Sequence, residues 1–182
     1  MQERNHTLSE QPPTLPQQFQ RTLEATPFDS CDSCYRPLLT EPRPYRIIKG
    51  YVHHTVRRET ALCLECCTEL WRDDPVSFHS LQSRLHQVIA PPTNTHGLPT
   101  HCCCCAADIG ALDEYVLSMR CKMNALASTD APFLLCGHCL RALFAELPAA
   151  TQQRHRAAHR RTFLSPPDRA VSDSEMMMLI LA

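Results

Sequence analysis

Twelve cysteines dominate the chemistry available to this 182-residue chain. Eight of them fall in pairs two residues apart: Cys31/Cys34, Cys63/Cys66, Cys102/Cys105 and Cys136/Cys139. A CxxC spacing lets both sulfurs converge on one ion, and N–H groups in the turn can point at the sulfurs and offset their charge. Two such pairs supply four thiolates, the donor set of a closed tetrahedral zinc site with Zn–S distances of about 2.3 Å. The spacing predicts two Zn²⁺ per chain, one held by Cys31, Cys34, Cys63 and Cys66 and one by Cys102, Cys105, Cys136 and Cys139.

The competing use of so many cysteines is a disulfide framework. The first twenty residues, MQERNHTLSEQPPTLPQQFQ, have no apolar signal region, and no run approaches the length of a membrane span. The expected location is therefore the reducing cytoplasm, where such cysteines bind metal more often than they cross-link. One register stays open. Within His101–Cys105 the CxxC pair is Cys102/Cys105, while His101 with Cys104 is a rival HxxC pairing. On the first assignment Cys67, Cys103, Cys104 and Cys121 are spare.

The pairs belong to an internal repeat. With Cys63 set against Cys136, ALCLECCTELWRDDP and LLCGHCLRALFAELP align without a gap, matching Leu62 with Leu135, Cys66 with Cys139, Leu70 with Leu143, Trp71 with Phe144 and Pro75 with Pro148. Upstream, Cys31/Cys34 correspond to Cys102/Cys105, and Tyr45 to Tyr115. The intervals differ, with 28 residues between Cys34 and Cys63 and 30 between Cys105 and Cys136. Duplication with a two-residue insertion accounts for both copies.

The elements that must position these thiols follow from local pattern. PYRIIKGYVHH and RRETALC are β-rich and read as a hairpin; EYVLSMRCKMN and PFLLC repeat it, joined by ALASTDA. The last cysteine pair of each copy opens a helical pattern, where free N–H groups and the positive dipole end favour thiolate. Leu70/Trp71 and Leu143/Phe144 then fall one turn later and read as the plug of each small core. The expected fold is small α+β, with two tandem zinc-stabilised modules (CxxC knuckle, β-hairpin, CxxC opening a helix), a connecting helix and disordered termini. The expected organisation is 1–27 disordered, 28–75 first module, 76–90 connecting helix, 91–100 linker, 101–148 second module, 149–164 basic helical extension and 165–182 tail. Cys121 falls on a strand, where a small buried hydrophobe is the expectation.

Knuckle, hairpin and a helix carrying the last ligands resemble a treble-clef zinc finger. The resemblance covers about half the chain, rests on ligand pattern and element order, and implies structural zinc without implying one particular function.

No catalytic centre is expected, and the chain does not read as an enzyme. Four thiolates leave no open position for water, HExxH is absent, and no HxE precedes a PCxxC pair as in the zinc deaminases. Four glycines in all leave no phosphate loop. Cys136–Cys139 reads CGHC, like a thioredoxin-type redox pair, but its counterpart CLEC and the upstream pairs make it half of a metal site. His53, His54, His79, His86 and His96 are read as surface residues.

Binding is the remaining class. Formal net charge is −1, so electrostatic recognition must be local. The segment TQQRHRAAHRRTFL carries Arg154, Arg156, Arg160 and Arg161 with no acid among them, which makes these four the candidate nucleic-acid contacts. They point in several directions on a helix, and no aromatic residue interleaves with them. The leading expectation is a protein-interaction or adaptor module, with a nucleic-acid-binding zinc finger as one alternative and a thiol redox sensor, through Cys67, Cys103 and Cys104, as another. The apolar C-terminus MMMLILA either docks on a partner or packs back on its own chain.

Overall fold

The computed structural model describes residues 19–22, 25–40, 42–88, 98–123, 125–126, 132–162 and 178–181. The first hairpin pairs β1 (Pro44–Val52) with β2 (Thr55–Cys63) around His53 and His54, both at positive φ (46° and 59°). Two consecutive residues at positive φ match the right-handed twist of the flanking strands. The ladder shifts register between Gly50 and Tyr51. Helix α1 (Leu64–Leu70) starts as β2 ends, and α2 (Pro75–Val88) follows with proline in its first turn, where a missing N–H costs nothing.

The second copy repeats this order. β3 (Glu114–Lys122) runs antiparallel to both β4 (Ala125–Leu126) and β5 (Phe133–Cys136), which share one edge of β3. Helix α3 (Gly137–Ala145) opens after Cys136, and α4 (Ala149–Thr162) follows Pro148, which ends one helix and starts the next. Of the strand ends read from sequence, those of β3 and β5 fall close to expectation, and the first turn takes up His53–His54, the last two residues of the segment PYRIIKGYVHH.

The two hairpins form one sheet of order β2-β1-β3-β4, with β5 beside β3 as well. β1 and β3 pair antiparallel from Pro44 opposite Lys122 to Val52 opposite Glu114. This register is self-complementary. Tyr45 and Tyr115 are equivalent, since they pair with Cys63 and Cys136 respectively. Tyr45 then faces Cys121 across the junction just as Tyr115 faces Tyr51, and the pseudo-twofold passes between Ile48 and Ser118. The modules are thus not beads on a linker. β1 explains why: Ile47 and Ile48 are successive and both fully buried, so both faces of this strand are covered.

The helices cross the same axis. α2 reaches the second copy, where Arg84 pairs with Glu146 and Leu81 and Leu85 are buried. α4 returns to the first copy, where His155 lies 4.4 Å from the Trp71 ring, Thr151 donates to Asp74, and Arg154 lies 3.6 Å from Asp73.

The expectation of disordered termini is corrected for the residues described near both ends. Phe19 and Phe28 are fully buried, and buried Lys49 donates to Gln20 O and Thr22 Oγ1 while pairing with Glu59. On the other side of the sheet, Met178–Leu181 forms a 3-10 turn against β1 and α4, with Met178, Leu179 and Leu181 buried. The turn packs over Gly50, where a Cβ would stand in ordinary contact, 3.7 Å from Met178 Sδ. Both segments carry apolar side chains that a two-layer core has room to bury. Residues 1–18, 89–97 and 163–177, which hold most of the expected N-terminal disordered segment, the linker and the tail, lie outside the described residues. Among the described residues no helix is long and apolar enough to cross a membrane.

Candidate metal centres

The structure gathers Cys31, Cys34, Cys63 and Cys66 into one cluster and Cys102, Cys105, Cys136 and Cys139 into a second, with the sulfurs of each within 4.8 Å of one another. The Cys34–Cys63 and Cys105–Cys136 sulfur separations are 3.7 and 3.8 Å. A tetrahedral ion with bonds of about 2.3 Å requires sulfur–sulfur edges of about 3.8 Å. A disulfide requires about 2.05 Å, and all twelve cysteines carry free thiols. The donor set therefore fits a metal ion. His101 is not part of the second cluster: its ring meets Thr100 Oγ1 at 2.8 Å and Asp108 at 3.5 Å. The HxxC register is thereby set aside.

The two centres share a common set of supporting backbone bonds. The loop holding the first pair closes through Cys31 N–H to Arg36 O and Tyr35 N–H to Cys31 O; its counterpart closes through Cys102 N–H to Ala107 O and Ala106 N–H to Cys102 O. Tyr35 and Ala106 take the same left-handed turn, at φ 59° and 57°. Cys63 N–H donates to Cys31 Sγ and Cys136 N–H to Cys102 Sγ, each at 3.4 Å. Each loop is also laced to its neighbouring edge strand, by Asp32 N–H to Ala61 O in one copy and Cys103 N–H to Leu134 O in the other. Asp32 additionally accepts from Ala61 N–H and Thr60 Oγ1 through its carboxylate.

These N–H groups bear on the charge of the sulfurs. Burial raises the Cys102 thiol, but the N–H groups of Cys136, Cys105 and Cys104 outweigh it and bring it down to about 7. At Cys34 burial again works upward, and the Arg36 N–H with the neighbouring sulfurs leaves the thiol below its ordinary value. Donors preset around sulfur favour the thiolate a metal needs. In the second copy alone, Cys136 Sγ accepts from Cys139 N–H at 3.4 Å and so caps α3, while Cys63 makes no such cap on α1.

The four spare cysteines divide. Cys67 and Cys121 are buried, and burial pushes each thiol up to about 12. Cys67 stands where the second copy has buried Leu140, and Cys121 lies beside Tyr45, so both serve as small apolar residues. Cys103 is half-buried and Cys104 exposed, next to Cys102 and Cys105. Trp71 and Phe144 are 2% and 1% exposed and plug the two cores.

The four arginines of α4 do not form one surface. Arg154 is engaged with Asp73, the Arg156 guanidinium lies 5.2 Å from the Phe144 ring centroid, and only Arg160 and Arg161 are exposed. Between them, Thr151, His155, Ala158 and His159 are buried against the protein. Sequence reading missed this inward face, because it treated the helix as a basic extension. His53, His54 and His79 are exposed as expected, whereas the side chains of His86 and His96 lie outside the described residues.

No protein-family model matches this chain, and comparison with curated proteins and with solved structures finds no match.

Proposed function

We propose that this protein is a non-enzymatic, cytoplasmic adaptor built around two structural zinc ions, each held by four cysteine thiolates in a treble-clef-like arrangement of knuckle, hairpin and helix. The observation that carries the zinc reading is the pair of four-sulfur clusters with near-tetrahedral edges and matching N–H donors. Zinc is the ion of choice for four thiolates in a closed site, with no position left for a substrate or water. Its role is to tie each loop to its strand and helix, which a chain with 6% aromatic residues needs in place of a larger core.

Protein interaction is favoured over nucleic acid by the state of α4. Two of its four candidate arginines are occupied by Asp73 and Phe144, which leaves no continuous basic stripe. A redox role rests on exposed Cys104 beside the ligand Cys105; peroxide that released zinc from wild type but not from a Cys104→Ser variant would favour it. The deciding experiment is elemental analysis with a thiol count on protein purified under reducing conditions, followed by titration with DNA and RNA at rising salt. Two zinc ions and no salt-steep nucleic-acid binding support the adaptor reading. Absence of metal overturns the zinc assignment, and tight binding that weakens steeply with salt replaces the adaptor by a nucleic-acid binder.

A further inference from the structure

The two metal centres stand on separate copies, yet each helix that carries a last ligand is clamped by a helix of the other copy. Cys66 lies on α1, and the buried Trp71 closes that helix. The Trp71 ring lies 4.4 Å from the ring of His155, Asp74 accepts from Thr151, and Arg154 stands 3.6 Å from Asp73. His155, Thr151 and Arg154 all belong to α4, in the second copy. The reverse clamp runs from α2 of the first copy to α3, which carries Cys139. Arg84 of α2 pairs with Glu146 at the end of α3, and Leu81 lines one hollow with Leu143 and Leu147.

The strands are joined in the same reciprocal way. Cys63 ends β2 and Cys136 ends β5. Tyr45 pairs with Cys63 on one side and with Cys121 of the second copy on the other, and its hydroxyl donates to Met123 O at 2.5 Å. Tyr115 pairs with Cys136 and, across the junction, with Tyr51, whose ring stacks on it at 4.6 Å. Buried apolar side chains from both copies make one cluster. The copies therefore share a core instead of each owning one.

The loops that hold the first cysteine pairs have little core of their own. Within 33–37 every residue is exposed, and so are Cys104, Cys105 and Ala106. Four sulfurs on one ion are the tie that burial does not supply. An empty centre loosens its loop and the helix behind it. That helix is also the seat of the other copy's clamp, so the loss reaches the other centre. Two sites that draw on one shared arrangement are coupled, and the coupling is reciprocal.

We propose that the two centres load cooperatively: zinc at either one raises the affinity of the other through the clamps of α4 on α1 and of α2 on α3. The chain then passes from empty to doubly loaded over a narrow range of free zinc, and the adaptor surface forms as a unit. This rests on the zinc reading and adds a metal-responsive switch to it. A coupling of about tenfold or more is expected, inside the ordinary range for linked sites.

The test is a thermodynamic cycle on reduced, full-length protein, with zinc affinities read by competition against a chromophoric chelator. Cys34→Ser disables the first centre and Cys105→Ser the second, while each leaves the other able to fill. Independent centres make the product of the two wild-type binding constants equal to the product of the two single-centre constants. Coupled centres make the wild-type product larger by about tenfold or more. Leu81→Ala touches no ligand; it is expected to lower this ratio while leaving the zinc affinity of Cys105→Ser unchanged. A ratio near one overturns the proposal, and an equal loss from Leu81→Ala in wild type and in Cys105→Ser overturns the clamp as its route. Where a single-centre variant takes up no zinc, native mass spectrometry of wild type given one zinc per chain decides. Chains that are mostly empty or doubly loaded support coupling, and about half or more carrying one ion overturns it. Two bound zinc ions with a ratio near one sink the coupling alone, whereas no zinc in any of the proteins sinks the zinc reading itself.

Discussion

Acidification is expected to destabilise this fold through His155, well away from the sulfurs. The ring is fully buried against Trp71, and neither ring nitrogen has a hydrogen-bond partner among the described residues. Burial, helped by the neighbouring Arg154 charge and opposed by Asp74, holds His155 down to about 4 from an ordinary 6.5. The direction follows from linkage. A base with a depressed folded pKa contributes full stability above the unfolded value and loses it as pH falls toward the folded one, because only the unfolded chain takes up the proton. At about 1.36 kcal/mol per pH unit, the loss reaches about 2 kcal/mol at pH 5 and about 3 kcal/mol near pH 4. The perturbation is His155→Phe, which keeps an aromatic ring beside Trp71 and removes the titration. Urea unfolding of both proteins from pH 7.5 to pH 5 reads the effect. Acid-driven metal loss is common to both and cancels in the difference. The variant should gain about 2 kcal/mol on wild type over that range; a difference that stays constant with pH refutes the assignment.

Further outcomes follow from the metal centres and the packing. Cys34→Ser should lower the zinc content from two ions per chain to one, and Cys104→Ser should leave it unchanged, as read by elemental analysis; the reverse would restore the His101/Cys104 register. Ala106→Gly relieves a left-handed backbone at φ 57° on an exposed residue. After the entropy cost of glycine it should add about 0.5–1 kcal/mol, or about 2–4 °C in Tm per kcal/mol, measured by thermal melting with zinc present. Removing residues 178–182 exposes the surface around Gly50 and Ile48 and gives up the burial of Met178, Leu179 and Leu181. At roughly 1.5–3 kcal/mol per buried side chain, the urea midpoint should fall clearly, whereas an unchanged midpoint would mean that the tail contributes nothing to the fold.

Much of this protein was legible because the ligands are short-range. CxxC is a local geometry, and a four-thiolate site demands two such pairs, so the clusters of Cys31/Cys34/Cys63/Cys66 and Cys102/Cys105/Cys136/Cys139 could be paired by spacing and repeat alone. The hairpins and the helix behind each second pair were legible for the same reason, as were Trp71 and Phe144, the large apolar residues one turn beyond the ligands. Tyr35 and Ala106 were not. A left-handed turn usually announces itself with glycine, and here both positions carry side chains, so the signal was missing.

What the sequence determined by itself is the chemistry of the cysteines: eight of them in two sets, within a duplicated unit of fixed element order. Tertiary structure decided how the copies meet. The pairing of β1 with β3 is made by backbone N–H and C=O groups, which every residue carries, so its register leaves little trace in residue type. The crossing of α2 and α4 likewise depends on which surfaces the joined sheet leaves uncovered. That crossing turns a basic-looking helix into one with His155 and His159 buried. Long-range contact, not local propensity, sets both outcomes.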